Sequence, residues 1–276
     1  MTTGRCERAL VTLLGSAGPW RERLYLVGGL APRYLVGKLP ESVPAHVGTT
    51  DVDLVIELVV DATDHRAYRT LATNLKEAGF EAVESCRWTT EVDGVTVKLE
   101  FLCETDEVPP GKIFKPRGQK VGAKLAAFNI PGVALAAEDF VECELEGERL
   151  DGTGVSRVTL RVAALLPFVV LKIAAYQDRH DNKDAYDLVY CLLNYGRGPD
   201  DAGAAAAFSP IREQPRVVES LELLEELFAD VDRDGPGAHA AFLADPDDTG
   251  EVDRLRRQAV VAVRRFVAAF RAAAPQ

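Results

Sequence analysis

Apolar and polar residues alternate differently in the two halves of the chain. In the first half, short apolar or alternating runs rich in β-branched residues predict strands. They lie at residues 23–27, 52–60, 80–92, 94–103, 140–145 and 157–162. The third and fourth of these are joined by Asp93-Gly94, a strong signal for a two-residue hairpin turn.

Apolar residues that recur every three or four positions predict helices. They lie at residues 5–14, 30–39, 63–78, 168–179, 182–194, 214–228 and 252–273. Residues 196–203 are predicted to be a linker, and Gly235-Pro236 and the acidic stretch 245–251 are predicted to separate the last two helices. The pattern predicts an α+β protein, with a small mixed sheet and helices in a domain at 1–165 and a helical domain at 166–276.

The composition limits where the protein acts. No apolar run approaches the roughly 20 residues that span a bilayer, and the N-terminus lacks the apolar core of a signal peptide. We therefore expect a cytoplasmic protein without a membrane partner.

Five scattered cysteines with no CxxC spacing argue against a disulfide framework or a zinc site. The histidines are expected on the surface or in loops; they are His46, His65, His180 and His239.

Charge is unevenly distributed along the sequence. The net charge of −11 argues against binding nucleic acid over the whole surface. One stretch departs from this balance, because residues 108–137 contain no acidic residue. Within it, residues 112–124, the basic segment, carry five cations: Lys112, Lys115, Arg117, Lys120 and Lys124. This segment is a candidate contact for a polyanion, although a solvated surface loop would have the same composition.

Three carboxylates in the predicted strands are candidate metal ligands. Strand side chains alternate, so Asp51 and Asp53 point to one side, and Glu100 lies opposite the apolar face of its own strand. If these strands are neighbours, the three carboxylates converge. A pair of such charges about 5 Å apart costs about 3 kcal/mol at an effective dielectric near 20. A fold keeps such a cluster when cations occupy it, and Mg²⁺ prefers oxygen ligands of this kind.

Gly28-Gly29, between a predicted strand and a predicted helix, complements the carboxylates. A backbone without side chains can approach a ligand closely, and a following helix N-terminus favours phosphate. Two magnesium ions can hold the attacking and leaving oxygens of a phosphoryl or nucleotidyl transfer. Each feature alone is common in tight turns and strand edges, but their order and spacing together favour this chemistry.

The arrangement of Gly-Gly, Asp-x-Asp and a distant carboxylate between apolar residues resembles the polymerase-β-like nucleotidyltransferases. The closer resemblance is to the AbiEii or MenT-like toxins, which add a helix with a lysine and a Lys/Arg-Asp-x-x-Asp-Leu segment. Here Lys172 stands in the helix, and the segment is Lys183 to Leu188. The resemblance covers roughly residues 20–195. It implies a polymerase-β-like nucleotidyltransferase fold followed by helices.

The resemblance also implies a function and a set of site residues. The enzyme would transfer a nucleoside monophosphate from an NTP to the 3′ end of tRNA, as the toxin of a toxin–antitoxin pair, with a cognate antitoxin as partner. The cofactor would be Mg²⁺ in a two-ion site, with Mn²⁺ as a substitute. The implied catalytic residues are Asp51, Asp53, Glu100, Lys172 and Asp184, the first three as metal ligands. The implied nucleotide-binding residues are Gly28, Gly29, Thr49, Lys172 and Asp187, and the basic segment would contact RNA.

The sequence departs from the family pattern at two positions. No serine follows Gly28, and the arginine that relatives often carry before Asp-x-Asp is absent, with only His46 nearby. Two other functions stay open. One is a nucleotidyltransferase with a small-molecule acceptor of the aminoglycoside type. The other is a catalytically inactive nucleotide-binding module, although the presence of all three carboxylates and Lys172 argues against lost chemistry.

Overall fold

The computed structural model describes residues 2–57, 65–84, 86–115 and 125–273. Contacts between residues divide the chain into two units. The first contains Met1–Leu30 and Gly48–Ala163, and the second contains Ala31–Val47 and Ala164–Gln276. The helical unit therefore includes residues 31–47, which come from the first half of the chain. The predicted boundary at residue 165 assigns these residues to the first domain instead.

A mixed sheet forms the centre of the first unit, as the alternating pattern predicts. Its described strands are β1 (Leu24–Val27), β2 (Asp51–Ile56), β3 (Glu81–Ala82), β4 (Arg87–Val92), β5 (Val95–Cys103), β6 (Ile113–Phe114), β7 (Ala127–Asn129), β8 (Phe140–Glu148) and β9 (Val155–Ala163). Their order is β3-β4-β5-β2-β1-β9-β8, with β7 beside β5 and β6 beside β7. Strand β2 is parallel to β5 and antiparallel to β1. Residues 58–60 of the predicted strand 52–60 lie outside the described residues.

The predicted hairpin is confirmed and sets the register of β4 against β5. Asp93 and Gly94 both adopt left-handed backbone conformations, with φ of 50° and 72°, as a type I′ turn requires. Val92 therefore pairs with Val95, and counting back along both strands places Arg87 opposite Glu100.

The core of the first unit lies under the apolar faces of these strands. Leu54, Leu99 and Phe101 are buried, as the alternation predicts. Helix α1 (Thr2–Ser16) packs on β8 and β9 and buries its own leucine stripe, including Leu10 and Leu14. The described residues of this unit also form α3 (His65–Glu77) and the short α4 (Leu135–Glu138).

The second unit is helical. Its described helices are α2 (Pro32–Leu35), α5 (Leu165–Arg179), α6 (Asn182–Asn194), α7 (Pro199–Ala206), α8 (Pro215–Leu227), α9 (Asp234–Leu243) and α10 (Thr249–Ala272). The predicted helix at 182–194 coincides with α6. The predicted helix at 30–39 is wrong in extent, because only the four residues of α2 are α-helical and Gly37 follows with a left-handed φ of 66°. None of the described helices is both long and apolar enough to cross a membrane.

Two helices lie where the sequence predicts a linker and a separator. Helix α7 begins at Pro199, where proline is tolerated, and its Gly203 faces the Phe266 carbonyl of α10 so closely that a Cβ would overlap it. Helix α9 carries Gly235 and Pro236 in its first turn, and the glycine lies against the ring of Phe228. Close packing, rather than a chain break, explains these glycines.

Candidate functional site

The register between β2 and β5 brings the predicted carboxylates of the first unit to one side of the sheet. Asp53 is the direct neighbour of Glu100, and Asp51 is the neighbour of Lys98. Between the two aspartates, Val52 points into the core and is buried. Neighbouring strands lie about 4.8 Å apart, so Asp53 and Glu100 stand side by side.

Glu100 has a cationic partner in this unit. The Nε of Arg87 donates to Oε1 of Glu100 at 2.7 Å, and the Glu100 side chain is 23% exposed. This hydrogen bond, together with the charge of Glu100, raises the pKa of the Arg87 guanidinium. No sequence motif marks Arg87, although the turn at Asp93-Gly94 fixes the register that pairs it with Glu100.

Asp51 is the first residue of β2, and its side chain is exposed. The Nζ of Lys98 is 3.6 Å from its Oδ1, and both side chains are more than half exposed. The Asp51 amide donates to Oγ1 of Thr49 at 3.0 Å, and the Cys6 thiol donates to the Thr49 carbonyl at 3.2 Å. Burial, followed by the charge of Asp51, raises the pKa of Cys6 to about 11. In this structure Thr49, a predicted nucleotide ligand, fixes the backbone that leads into β2.

Gly28 meets the carboxylate of Asp53. Its φ of 73° lies in the left-handed region, and a Cβ there would overlap Oδ2 of Asp53. Gly29 continues into a 3-10 turn at Gly28–Leu30 rather than a long helix. The helix dipole expected after the Gly-Gly turn is therefore weak, and phosphate recognition here would depend on the close approach of the backbone.

The donor set of this region suits a hard cation. Asp51, Asp53 and Glu100 offer carboxylate oxygens, the ligands that Mg²⁺ prefers. Across the part of the chain that the structure describes, no group of three His, Cys, Asp or Glu side chains is close enough together to hold a metal ion. The Glu100 carboxylate accepts a hydrogen bond from Arg87 instead, so a metal ion would compete with this guanidinium for the carboxylate.

A second cluster of predicted site residues lies in the helical unit. Lys172 of α5 is 5% exposed, and its Nζ donates to Asp184 at 2.9 Å and to Asp187 at 2.5 Å. Burial alone would lower the pKa of Lys172, but the charges of Asp187 and Asp184 outweigh it and raise the pKa. The lysine that the resemblance assigns to the triphosphate is therefore held between two buried carboxylates.

Both carboxylates have further partners. Arg179 donates to both oxygens of Asp184, at 2.6 and 2.7 Å, and Lys183 donates to both oxygens of Asp187 at 2.9 Å. Lys183 and Asp187 thus form an i, i+4 ion pair within α6. Burial would raise the pKa of each aspartate. The hydrogen bonds from Arg179 and the charge of Lys172 nevertheless lower the pKa of Asp184. A hydrogen bond with His46, together with the charges of Lys172 and Lys183, lowers the pKa of Asp187.

His46 completes this cluster. Its Nε2 lies 2.8 Å from Oδ1 of Asp187, and its ring stacks on that of Tyr186 with centroids 5.1 Å apart. The side chain is only 8% exposed. His46 lies in a loop, as the sequence predicts, although its side chain is buried there. The expected surface or loop position is wrong for His239, which is 2% exposed in α9. No local sequence pattern marks His46, because its partner is 141 residues away.

The comparisons with known proteins come out empty. No protein-family model, curated protein or solved structure matches this chain.

The basic segment is described only in part. Lys112 and Lys115 are exposed. The other three cations lie outside the described residues; they are Arg117, Lys120 and Lys124. The predicted site thus consists of a carboxylate group with a glycine turn in the first unit and a buried ion-pair cluster in the second.

Proposed function

We propose that this protein is a magnesium-dependent nucleotidyltransferase of the polymerase-β-like type. One observation carries the proposal: the register of β2 and β5 sets Asp53 beside Glu100, with Asp51 on the same side. The glycine turn after β1 supports it, because Gly28 touches the Asp53 carboxylate. This order of glycine turn, Asp-x-Asp and third carboxylate along β1, β2 and β5 agrees with the resemblance in the sequence.

The residues of this group have separate tasks under the proposal. Asp51, Asp53 and Glu100 would hold Mg²⁺, which would neutralise phosphate charge and activate the acceptor hydroxyl. Without ligands, Arg87 and Lys98 offset part of the repulsion among these carboxylates. Gly28 permits the backbone to lie against Asp53, where a side chain would block the approach.

We propose RNA as the acceptor. The exposed Lys112 and Lys115 belong to a basic segment in a chain of net charge −11. Phosphate backbones are bound through such cations largely without regard to sequence, whereas a cationic aminoglycoside would be repelled. The resemblance makes this proposal more specific. The acceptor would be tRNA, and the protein would be a cytoplasmic toxin with a cognate antitoxin.

The experiment is a label-transfer assay. The wild-type protein is incubated with each α-phosphate-labelled NTP, Mg²⁺ and total RNA, and a parallel reaction replaces RNA with an aminoglycoside. Label should enter RNA with the wild type and with Glu146→Gln, a control carboxylate on β8, but not with Glu100→Gln. Label that enters only the small molecule would overturn the acceptor, and no transfer with any NTP would overturn the enzyme.

One observation favours a second candidate, the inactive nucleotide-binding module. The Glu100 carboxylate is bonded to Arg87, and a permanent bond would prevent it from binding metal. The two candidates differ in a simple measurement. The inactive module binds NTP without releasing pyrophosphate at any Mg²⁺ concentration, whereas the enzyme releases pyrophosphate.

A further inference from the structure

Strand β8 forms one edge of the sheet in the first unit. Its nine residues pair with β9 in a continuous antiparallel ladder, and within the described residues β8 pairs with no other strand. The edge of so long a strand is a template on which another extended chain can pair. The backbone and side chains of β8 therefore determine which chain can add to this edge.

The register shows which backbone groups of β8 point away from β9. The Arg149 amide donates to the Gly154 carbonyl at 2.9 Å, one step beyond the pair of Glu148 and Val155. In an antiparallel ladder, residues that bond the neighbouring strand alternate with residues that do not. The odd-numbered residues of β8 therefore bond β9. The even-numbered residues direct their N–H and C=O groups to the outer edge; they are Phe140, Glu142, Glu144, Glu146 and Glu148.

Four of these five residues are glutamates, and all four of their side chains are exposed on one face of the sheet. Arginines on β9 hold two of them, in the pairs Glu142–Arg161 and Glu146–Arg157. Glu144 instead accepts a hydrogen bond from the Thr159 hydroxyl at 2.7 Å, and Glu148 lies opposite Val155. Because two of the carboxylates have no cation directly opposite them on β9, the edge is acidic.

Helix α1 holds β8 from the other face of the sheet. A Cβ at Gly147 would lie 3.7 Å from Val11 of this helix, and the Leu150 amide donates to Oγ1 of Thr12 at 2.8 Å. Val141, on the same face, is 39% exposed. The edge is therefore preorganised, and a strand that pairs with it does not have to order β8 first.

A second copy of this chain is a poor match for the edge. Residues whose backbone groups bond across an antiparallel pair lie directly opposite each other. Two β8 edges would therefore place even-numbered residues opposite even-numbered residues in every register, which means glutamate against glutamate. Like charges in this arrangement destabilise a sheet, whereas opposite charges stabilise it. The edge thus disfavours itself and favours a cationic strand.

We propose that the outer edge of β8 is a docking site for an extended, cationic segment of another protein. The segment would add an antiparallel strand to the sheet, with Lys or Arg at alternate positions opposite the glutamates. The residues between them would be apolar or small and would lie on the face that exposes Val141. The inference uses no residue of the proposed catalytic group, so it does not depend on the proposed function.

The experiment uses a nine-residue synthetic peptide in which lysine alternates with valine and threonine, and two control peptides. One control has glutamate in place of lysine. The other keeps the lysines but carries a methyl group on each lysine amide, so it has the same charge and cannot form the ladder. Each peptide is titrated into the full-length protein, and NMR measures the Kd and the hydrogen exchange of each β8 amide.

The lysine peptide should slow exchange at the even-numbered amides of β8, such as those of Glu144 and Glu146, because these amides point away from β9. The odd-numbered amides, already bonded to β9, should change little. Both control peptides should bind at least about tenfold more weakly, since each lacks either the charge pairs or the backbone ladder. Binding without protection of the even-numbered amides, or equal binding of either control peptide, would overturn the proposal.

A pair of matched variants tests the glutamates themselves. Glu144→Gln combined with Glu148→Gln removes two charges from β8 and preserves side-chain size. It should weaken binding of the lysine peptide by roughly tenfold, the scale of two lost cross-strand charge pairs. The control, Glu219→Gln with Glu222→Gln, removes two exposed charges from α8 and should bind like the wild type.

Equal weakening in both double variants would assign the binding to the net charge of the protein and overturn the docking site. Sedimentation of the wild type without peptide tests the remaining occupant. A dimer in which the even-numbered amides of β8 are protected would make a second copy the partner and overturn the choice of a cationic strand.

Discussion

At the scale of single residues, the candidate site is governed by charges that stand next to each other. Asp53 and Glu100 are neighbours across β2 and β5, and Arg87 compensates the second of them. Lys172 is enclosed by two buried carboxylates. In each place the removal of one side chain leaves another charge without its compensation. The direction in which such a substitution changes the stability of the protein therefore follows from the charges.

Gly28→Ala should destabilise the protein more than Gly94→Ala. Both glycines have a left-handed φ, 73° and 72°, and alanine in that conformation costs about 1 kcal/mol or more. Only at Gly28 would the new Cβ also overlap Asp53, since nothing lies within 4 Å of the Cβ position at Gly94. Urea unfolding of both variants measures the difference. Equal losses of stability would show that Gly28 and Asp53 are not in close contact.

Lys172→Met should cost far more stability than Lys183→Met. Removing the buried ammonium leaves Asp184 and Asp187 in the core with less compensation, and breaking a buried ion pair in this way costs about 3–5 kcal/mol. Lys183 is 26% exposed, and Asp187 would keep its bonds to Lys172 and His46. Its loss should cost under about 1 kcal/mol. Unfolding free energies in urea test this, and a small effect for Lys172→Met would place the lysine in solvent.

At the scale of elements, short sequence signals predict the structure where contacts between residues close in sequence determine it. The Asp93-Gly94 turn predicts its hairpin, and the same turn fixes the register that places Arg87 opposite Glu100. Helices α7 and α9 are not predicted because their glycines indicate chain breaks, whereas in the structure Gly203 packs against Phe266 of α10 and Gly235 packs against Phe228 at the end of α8. The bond between His46 and Asp187 has no local signal at all.

Helix α9 carries a histidine that should make stability depend on pH. Burial, and then the charge of Arg254, lower the pKa of His239 to about 4, and neither ring nitrogen has a hydrogen-bond partner within the described structure. The unfolded chain takes up this proton near pH 6.5, but the folded chain does so only near pH 4. Stability is therefore complete above pH 6.5 and falls as the pH drops toward 4.

This loss should amount to about 2 kcal/mol between pH 7 and pH 5. His239→Phe should remove it, whereas the exposed-site variant His180→Asn should retain it. Urea unfolding of the three proteins at both pH values provides the measurement. A pH dependence that survives in His239→Phe would assign it to other groups.

At the scale of the whole molecule, the predicted site residues are distributed over both units. Asp51, Asp53 and Glu100 belong to the first, and Lys172 and Asp184 belong to the second. Strand alternation predicts the side to which each carboxylate points. The pairing of β2 with β5, which sets Asp53 beside Glu100, does not follow from alternation. The buried state of Lys172 does not follow from the sequence pattern either, since ion pairs between helices depend on tertiary packing.

The central claim is that the carboxylates on β2 and β5 support metal-dependent transfer. The most direct measurement is the rate of pyrophosphate release during a Mg²⁺ titration with NTP and RNA, for the wild type, Asp53→Asn and Glu146→Gln. Wild type and Glu146→Gln should show the same saturable dependence on Mg²⁺. Asp53→Asn should be slower by roughly a hundredfold or more, the scale of a lost electrostatic contact in a transition state. Release by Asp53→Asn at the wild-type rate would contradict the account.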